Sequence, residues 1–359
     1  MNMKNLTYTL ALALAFISFD AFSGNEDRAG EAGASELLIN PWARSSGWGG
    51  ANTASARGLE AMNLNISGLA FTKNTEVLFS NTSWLSGTDI NLLSFGFAKK
   101  LGDAGVMGLT VTRMSFGEIQ ITTADLPDGG IGNYEPNYLN IGFAYSKQFS
   151  NSISGGLVVR IITESTADVN ASGVSIDAGV SYKTAKYDAF KFGITLRNVG
   201  PTTSYRGNGL SIQADKLNTD QTLTFQRRTS DFELPSLVNI GASYDFFLTE
   251  VEENEDGSFM AEHRVTASGT FTSNSFTKDQ IRVGGEYAFQ NKFMVRAGYV
   301  FETDATDEVE SRTTSVGPTM GATLEIPTNK TGSTIGLDYS YRFTRTFDGT
   351  HAIGLRLTF

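Results

Sequence analysis

From Thr75 to the last residue, Phe359, the chain alternates between apolar and polar residues. In the clearest stretch the odd positions are Ile335, Leu337, Tyr339, Tyr341 and Phe343, and the even ones Gly336, Asp338, Ser340 and Arg342. A period of two gives a β-strand one apolar and one polar face. The end of the chain repeats it, with Ile353, Leu355, Leu357 and Phe359 set against Gly354, Arg356 and Thr358. So do residues 139–146, 174–183, 190–197, 238–245, 281–288 and 293–300. Counting such segments gives fourteen, starting near residues 75, 88, 105, 136, 152, 172, 187, 234, 260, 280, 293, 316, 333 and 349. Those near 105, 260 and 316 are less regular, with Arg113 and Pro318 as interruptions. An even number of strands, each about ten residues long, is what a chain needs to cross a bilayer as tilted strands.

A β-sandwich also alternates, so periodicity alone does not choose between the two architectures. The apolar face here carries Tyr145, Tyr182, Tyr244, Phe246, Tyr287, Phe289, Tyr299, Phe301, Tyr341, Phe343 and Phe359, mostly near segment ends. Aromatic girdles at two membrane interfaces account for that placement, whereas a sandwich core calls for compact aliphatic residues. Connections fit as well: those at 118–135, 165–171, 200–233, 272–279 and 303–315 alternate with short ones at 100–104, 149–151, 185–186 and 291–292. The acidic stretch Val251 to Gly257 is a long exception on the short side. The expected fold is all-β, a transmembrane antiparallel β-barrel of about fourteen strands over residues 75–359. A mean hydropathy of −0.15 agrees, because lipid-facing and lumen-facing residues average out.

The first residues place Met1 to Lys4 before an apolar run, Leu6 to Phe19, and then Ala21-Phe22-Ser23. This is the pattern of an export signal over residues 1–23, cleaved near Ser23. Residues 24–74 lack the strand period and are rich in small residues, including Gly49 and Gly50. They are read as an N-terminal hatch that plugs the barrel. The polar strand face would then line the lumen, with Asp177, Lys191, Arg197, Asp245, Glu286, Arg296, Asp338, Arg342 and Arg356 among its charges. Both signs are present, which suggests ion pairs with one another or with the hatch.

Chemistry is poorly represented. The chain has no Cys, so thiolate metal sites and thiol nucleophiles are excluded, and its two histidines, His263 and His351, stand in no hydrolase motif. The acidic runs Glu250 to Asp256 and Asp304 to Glu310 lack the spacing of a calcium loop. A net charge of −10 argues against a nucleic-acid surface. A non-enzymatic protein without a cofactor, resident in the outer membrane and in contact with its lipid, is the expectation.

Three tracts carry a family resemblance: Ala32 to Arg44, which ends Asn-Pro-Trp-Ala-Arg; Gly49-Gly-Ala-Asn-Thr-Ala54; and Asn65-Ile-Ser-Gly-Leu-Ala70. With Phe192 to Pro201 and Glu233-Leu-Pro235, they resemble the PorV/PorQ outer-membrane proteins of Bacteroidetes, themselves similar to FadL-type barrels. In the third tract Ile66 and Ser67 replace the family's usual Pro and Ala. The resemblance singles out Arg44, Gly49, Gly50, Asn65 and Gly68 as hatch motif residues. It implies a role in type IX secretion, with extracellular loops binding translocon or attachment-complex proteins and the C-terminal signal domains of secreted cargo. Leu126, Tyr205, Leu223 and Phe225 are then the apolar candidates for partner contact. The alternative is a FadL-like channel for hydrophobic small molecules, which calls for an apolar pocket between hatch and wall beside a kinked strand.

Overall fold

The computed structural model describes residues 28–215, 222–253, 259–303, 313–328 and 332–359. The export signal and its cleavage point therefore lie outside the described residues.

Fourteen antiparallel strands form one closed barrel. In chain order they are β1 (Thr75–Ser83), β2 (Asn91–Lys100), β3 (Val106–Ser115), β4 (Asn137–Gln148), β5 (Ile153–Thr166), β6 (Val169–Thr184) and β7 (Phe190–Val199). Then come β8 (Leu237–Phe247), β9 (His263–Asn274), β10 (Gln280–Phe289), β11 (Phe293–Glu302), β12 (Ser315–Pro327), β13 (Thr334–Thr344) and β14 (Thr350–Thr358). Each strand pairs with the next in sequence, and β14 pairs back onto β1 from Glu76↔Thr358 to Ser83↔His351. Closure leaves no sheet edge with unpaired backbone groups, the condition for a sheet to exist in lipid.

Burial across the wall is inverted relative to a water-soluble protein. The outward positions are large and apolar, with Leu93 62%, Phe143 53% and Ile353 63% exposed. The inward positions include Ser94, Thr110, Asp177, Thr195, Asn239 and Asp338, all buried. Water would penalise that outer surface by about 25 cal/mol per Å², so the arrangement is stable only with hydrocarbon outside. This disposes of the sandwich, whose apolar faces would meet each other.

Strand starts agree with the sequence period to within a few residues. One connection differs: residues 165–171 are no loop, because β5 and β6 run on until only Ala167 and Asp168 separate them. Ala167 adopts φ 44°, which permits the tight reversal. Three longer connections contain small hairpins of their own: Ile119–Gln120 with Asn133–Tyr134, Ser211–Asp215 with Thr222–Gln226, and Val251–Glu253 with Phe259–Ala261. The rim that carries 116–136, 200–236 and 303–314 is the long-loop side, extracellular by the ordinary rule for such barrels.

The wall is irregular in two places. One is between Ser315 and Thr319 of β12. The other lies between β6 and β7, where Asp177 alone faces Arg197 and Asn198. Asn198 takes φ 58°, the left-handed conformation that asparagine tolerates better than most residues. Beyond Val199 regular pairing with β6 stops, and isolated bridges carry the wall onward: Asn170↔Arg206, Thr203↔Phe232 and Ala32↔Glu233.

Candidate functional site

The segment from Arg28 to Thr72 packs against the inward faces of the strands. Its elements are short: a 3-10 turn at Ser35–Leu38, helix α1 at Ala43–Gly47, and 3-10 turns at Gly58–Asn63 and Ile66–Phe71. Small residues let the backbone approach the wall. At Gly298 a Cβ would come within 2.3 Å of the Trp48 carbonyl oxygen, and at Gly179 within 2.2 Å of the Asn65 side-chain oxygen. Asn65 caps the last turn, accepting from the Ser67 amide at 3.2 Å, while its Nδ2 donates to the Val180 carbonyl at 3.1 Å. Gly68 faces the Ala56 carbonyl so closely that a Cβ would lie 2.1 Å from it. Gly49 and Gly50, at φ 62° and 77°, turn the chain between β10 and β12.

Apolar packing anchors the lower part of this segment. Trp42, Leu59, Met62, Ile66 and Leu69 form one cluster with Leu78, Ala98, Val106, Ala144 and Val158 of the wall. Trp42 is wholly buried and donates through Nε1 to Asn63 Oδ1 at 3.3 Å.

Charges complete the anchoring. Glu286 receives Arg296 at 2.9 Å, Arg264 at 3.2 Å and Arg44 of helix α1 at 3.7 Å. Arg356 lies 3.3 Å from Asp338 and 3.6 Å from Glu60, whose other oxygen accepts from Ser45. Burial pushes the Glu60 carboxyl up, opposed by Arg356. Lys191 pairs with Asp245, and Asp177 accepts from Arg160 Nε at 3.0 Å and from the Asn198 amide at 2.7 Å. A buried ion is tolerable only when paired and hydrogen-bonded. The structure thus brings eight of the nine proposed lumen charges into this network. Arg342 stands apart, half-buried, with its guanidinium over the Trp84 ring at 5.3 Å.

Nearer the extracellular rim the contacts change. Ala34, Leu37, Ile162 and Leu234 make a small apolar cluster with Phe232 against it, just inside the β6–β7 irregularity. Arg197 donates to the Leu37 carbonyl at 3.1 Å. Arg28 pairs with Glu31 and Glu233 at 2.7 and 2.5 Å and covers the Phe276 ring at 4.3 Å. A cavity of about 90 Å³ lies beside this strap, lined by Gly33, Leu38, Pro235, Asn274 and Phe276 among others.

The four partner-contact candidates are not brought together. Leu126 is exposed in a turn of the 116–136 loop. Leu223 and Phe225 lie exposed on one face of the outer hairpin, with Ile212 opposite Phe225. Tyr205 turns inward instead: its hydroxyl donates to Glu164 and its ring packs on Phe232 at 5.5 Å. Sequence reading passed over Glu36, Glu60 and Glu164, because no local pattern distinguishes a charge that meets a distant partner from one on a solvated face.

Both histidines contact tyrosines: His263 Nδ1 lies 2.7 Å from the Tyr287 hydroxyl, and His351 Nδ1 2.9 Å from that of Tyr339. Among the described residues no group of three or more His, Asp or Glu side chains is placed to hold a metal ion.

No family model matches the chain. No curated protein matches it in sequence. Among solved structures it is similar to the Pseudomonas putida toluene transporter TodX, at 13% identity over 88% of this chain and 96% of that one, with a TM-score of 0.54. It is also similar to the monoaromatic hydrocarbon channel CymD, at 12% identity over 90% of this chain and 98% of that one, with a TM-score of 0.52. The likeness is one of fold, a closed antiparallel β-barrel.

Proposed function

We propose that this protein is a non-enzymatic outer-membrane channel for hydrophobic small molecules, with residues 24–74 acting as its hatch. The observation that carries this reading is the fold shared with TodX and CymD over about nine-tenths of the chain. The wall supports it: regular pairing breaks at Asp177 and Asn198, and the apolar cluster of Ala34, Leu37, Ile162, Leu234 and Phe232 sits immediately inside the break. The adjoining cavity, at about 90 Å³, is small beside the roughly 300 Å³ at which ligand pockets begin. In this closed state a solute passes only if the strap around Ala34 and Leu37 moves. Uptake of a monoaromatic hydrocarbon or a fatty acid by cells expressing the protein is the test. Uptake equal to that of cells without it, for every such solute tried, refutes the reading.

A second reading is favoured by one specific observation, the exposed apolar face of Ile212, Leu223 and Phe225 on the outer hairpin. It is a PorV/PorQ-type barrel of type IX secretion that docks translocon proteins or cargo signal domains there, with the filled lumen serving stability. Affinity recovery from outer membranes of actively secreting cells separates the two. The docking reading fails if no translocon component and no secreted cargo is recovered.

A further inference from the structure

At the short-turn rim, where the lumen segment meets β6 and β7, positive charge gathers around a small cavity. Its volume is about 10 Å³, room for one water-sized group. Arg57, Lys183 and Lys191 line it together with Thr53, Ser67 and Phe71, and among the described residues no carboxylate does. Arg57 and Phe71 belong to the lumen segment, whereas Lys183 and Lys191 stand at the periplasmic ends of β6 and β7. One ring gives the site its geometry. The Arg57 guanidinium lies over Phe71 at 3.9 Å from the ring centre, and Lys183 Nζ lies 5.7 Å from the same centre.

The nearby carboxylates are already engaged. Lys183 donates to Asp188 at 2.6 Å, and the buried Lys191 donates to Asp245, whose other oxygen accepts from Thr266 at 2.7 Å. The turn between the two strands adds one more cation, Lys186, with Nζ 4.5 Å from the Tyr187 ring centre. Four cations therefore stand in or beside the cavity against two aspartates, each bonded to a lysine. Among the described residues Arg57 makes no ion pair and no hydrogen bond, its one partner being the Phe71 ring. Thr53 and Ser67 turn their hydroxyl protons back into the segment, to the Gly50 carbonyl at 3.4 Å and to Asn65 at 2.8 Å. The donors left facing the cavity are the cationic ones.

We propose that this cavity anchors a phosphate-class oxyanion at the periplasmic face, with Arg57 as its principal donor and Lys183 as the second. An arginine fork donates to two phosphate oxygens in parallel, and a lysine adds a point charge. Donors reach the cavity from the segment on one side and the wall on the other, which suits tetrahedral oxygens better than the flat pair of a carboxylate. Arg57 is exposed, so the anion has a way in. The cavity is too small for a whole organic molecule, so only the head of the ligand enters. A phospholipid head group of the periplasmic leaflet and free phosphate share that chemistry. The site does not depend on which of the two functional readings holds.

The test uses the full-length protein in dodecyl maltoside, a detergent without charge or phosphate. Inorganic phosphate is titrated calorimetrically into wild type, Arg57→Gln and Arg28→Gln, the last altering a paired arginine at the opposite rim. Saturable binding is expected for wild type and Arg28→Gln, weakened about tenfold or more in Arg57→Gln, which loses a charge-assisted hydrogen bond. Because Arg57 is exposed, Arg57→Gln should keep the wild-type melting temperature in phosphate-free buffer. A second arm reconstitutes wild type and Arg57→Gln in nanodiscs of phosphatidylcholine with a minor share of phosphatidylglycerol, then identifies by mass the lipid retained on return to detergent. Phosphatidylglycerol retained by wild type and lost by Arg57→Gln makes the head group the ligand, and phosphate binding alone makes it the free anion. The proposal is overturned if wild type holds neither, or if Arg57→Gln holds either one as wild type does.

Discussion

The lower and upper parts of the lumen segment are held in different ways. Between Trp42 and Ala70 an apolar cluster of ten buried residues is flanked by ion pairs in which Glu286, Asp338 and Arg356 each meet an opposite charge. Between Arg28 and Asn40 the apolar cluster shrinks to four buried residues and Phe232, the Arg28 ion pairs lie near solvent, and neither carboxylate oxygen of Glu36 has a hydrogen-bond donor. Solvent screens exposed pairs to about 0–1 kcal/mol, whereas a buried pair that loses one partner costs about 3–5 kcal/mol. The lower part therefore behaves as wall, and the upper part as the piece with least to lose on moving.

The largest blow should come from the lower charges. Arg356→Ala leaves Asp338 and Glu60 buried without their guanidinium and should cost about 3–5 kcal/mol in denaturant unfolding. A loss under about 1 kcal/mol would mean that water reaches these carboxylates and that the lower half is not sealed. The same truncation in each part tests the contrast directly. Leu59→Ala should fall near the top of the roughly 2–5 kcal/mol range for buried leucines, and Leu37→Ala near the bottom, with amide exchange accelerated only around residues 28–40. Equal costs would erase the distinction.

Gly298→Ala probes close packing, since the new Cβ meets the Trp48 carbonyl; about 1–3 kcal/mol of destabilisation should appear as a lower melting temperature. The upper half should also answer to pH. A carboxyl whose value is raised in the folded state binds more protons folded than unfolded. Its contribution is therefore complete below the ordinary carboxyl range and is lost as pH rises through about 8. Glu36→Gln should flatten that part of the stability profile, and an unchanged profile would place Glu36 in contact with water. Smallest of all, Leu126→Ser in the exposed turn should alter stability by less than about 0.5 kcal/mol.

Much of this was legible in the residues. Alternation located the fourteen strands, because a period of two has a single geometric meaning, and the aromatic ends marked which face meets lipid. Tight small-residue tracts at Gly49-Gly50 and Asn65 to Gly68 pointed to a backbone that must approach another surface. Tyr205 was misjudged because it lies in a long loop, where an aromatic residue that turns inward to Glu164 looks the same as one that points to solvent.

By itself the sequence determined that residues 75–359 close into a membrane barrel with a polar interior, since each strand carries that information locally in its own pattern. Which charges neutralise which was decided only by the tertiary structure. Arg356 meets Glu60 across 296 residues, and Glu36 is left without a hydrogen-bond donor, because partners in the lumen are set by strand register and by the path of the N-terminal segment. Ion pairing depends on distance in space, and no residue pattern along the chain records it.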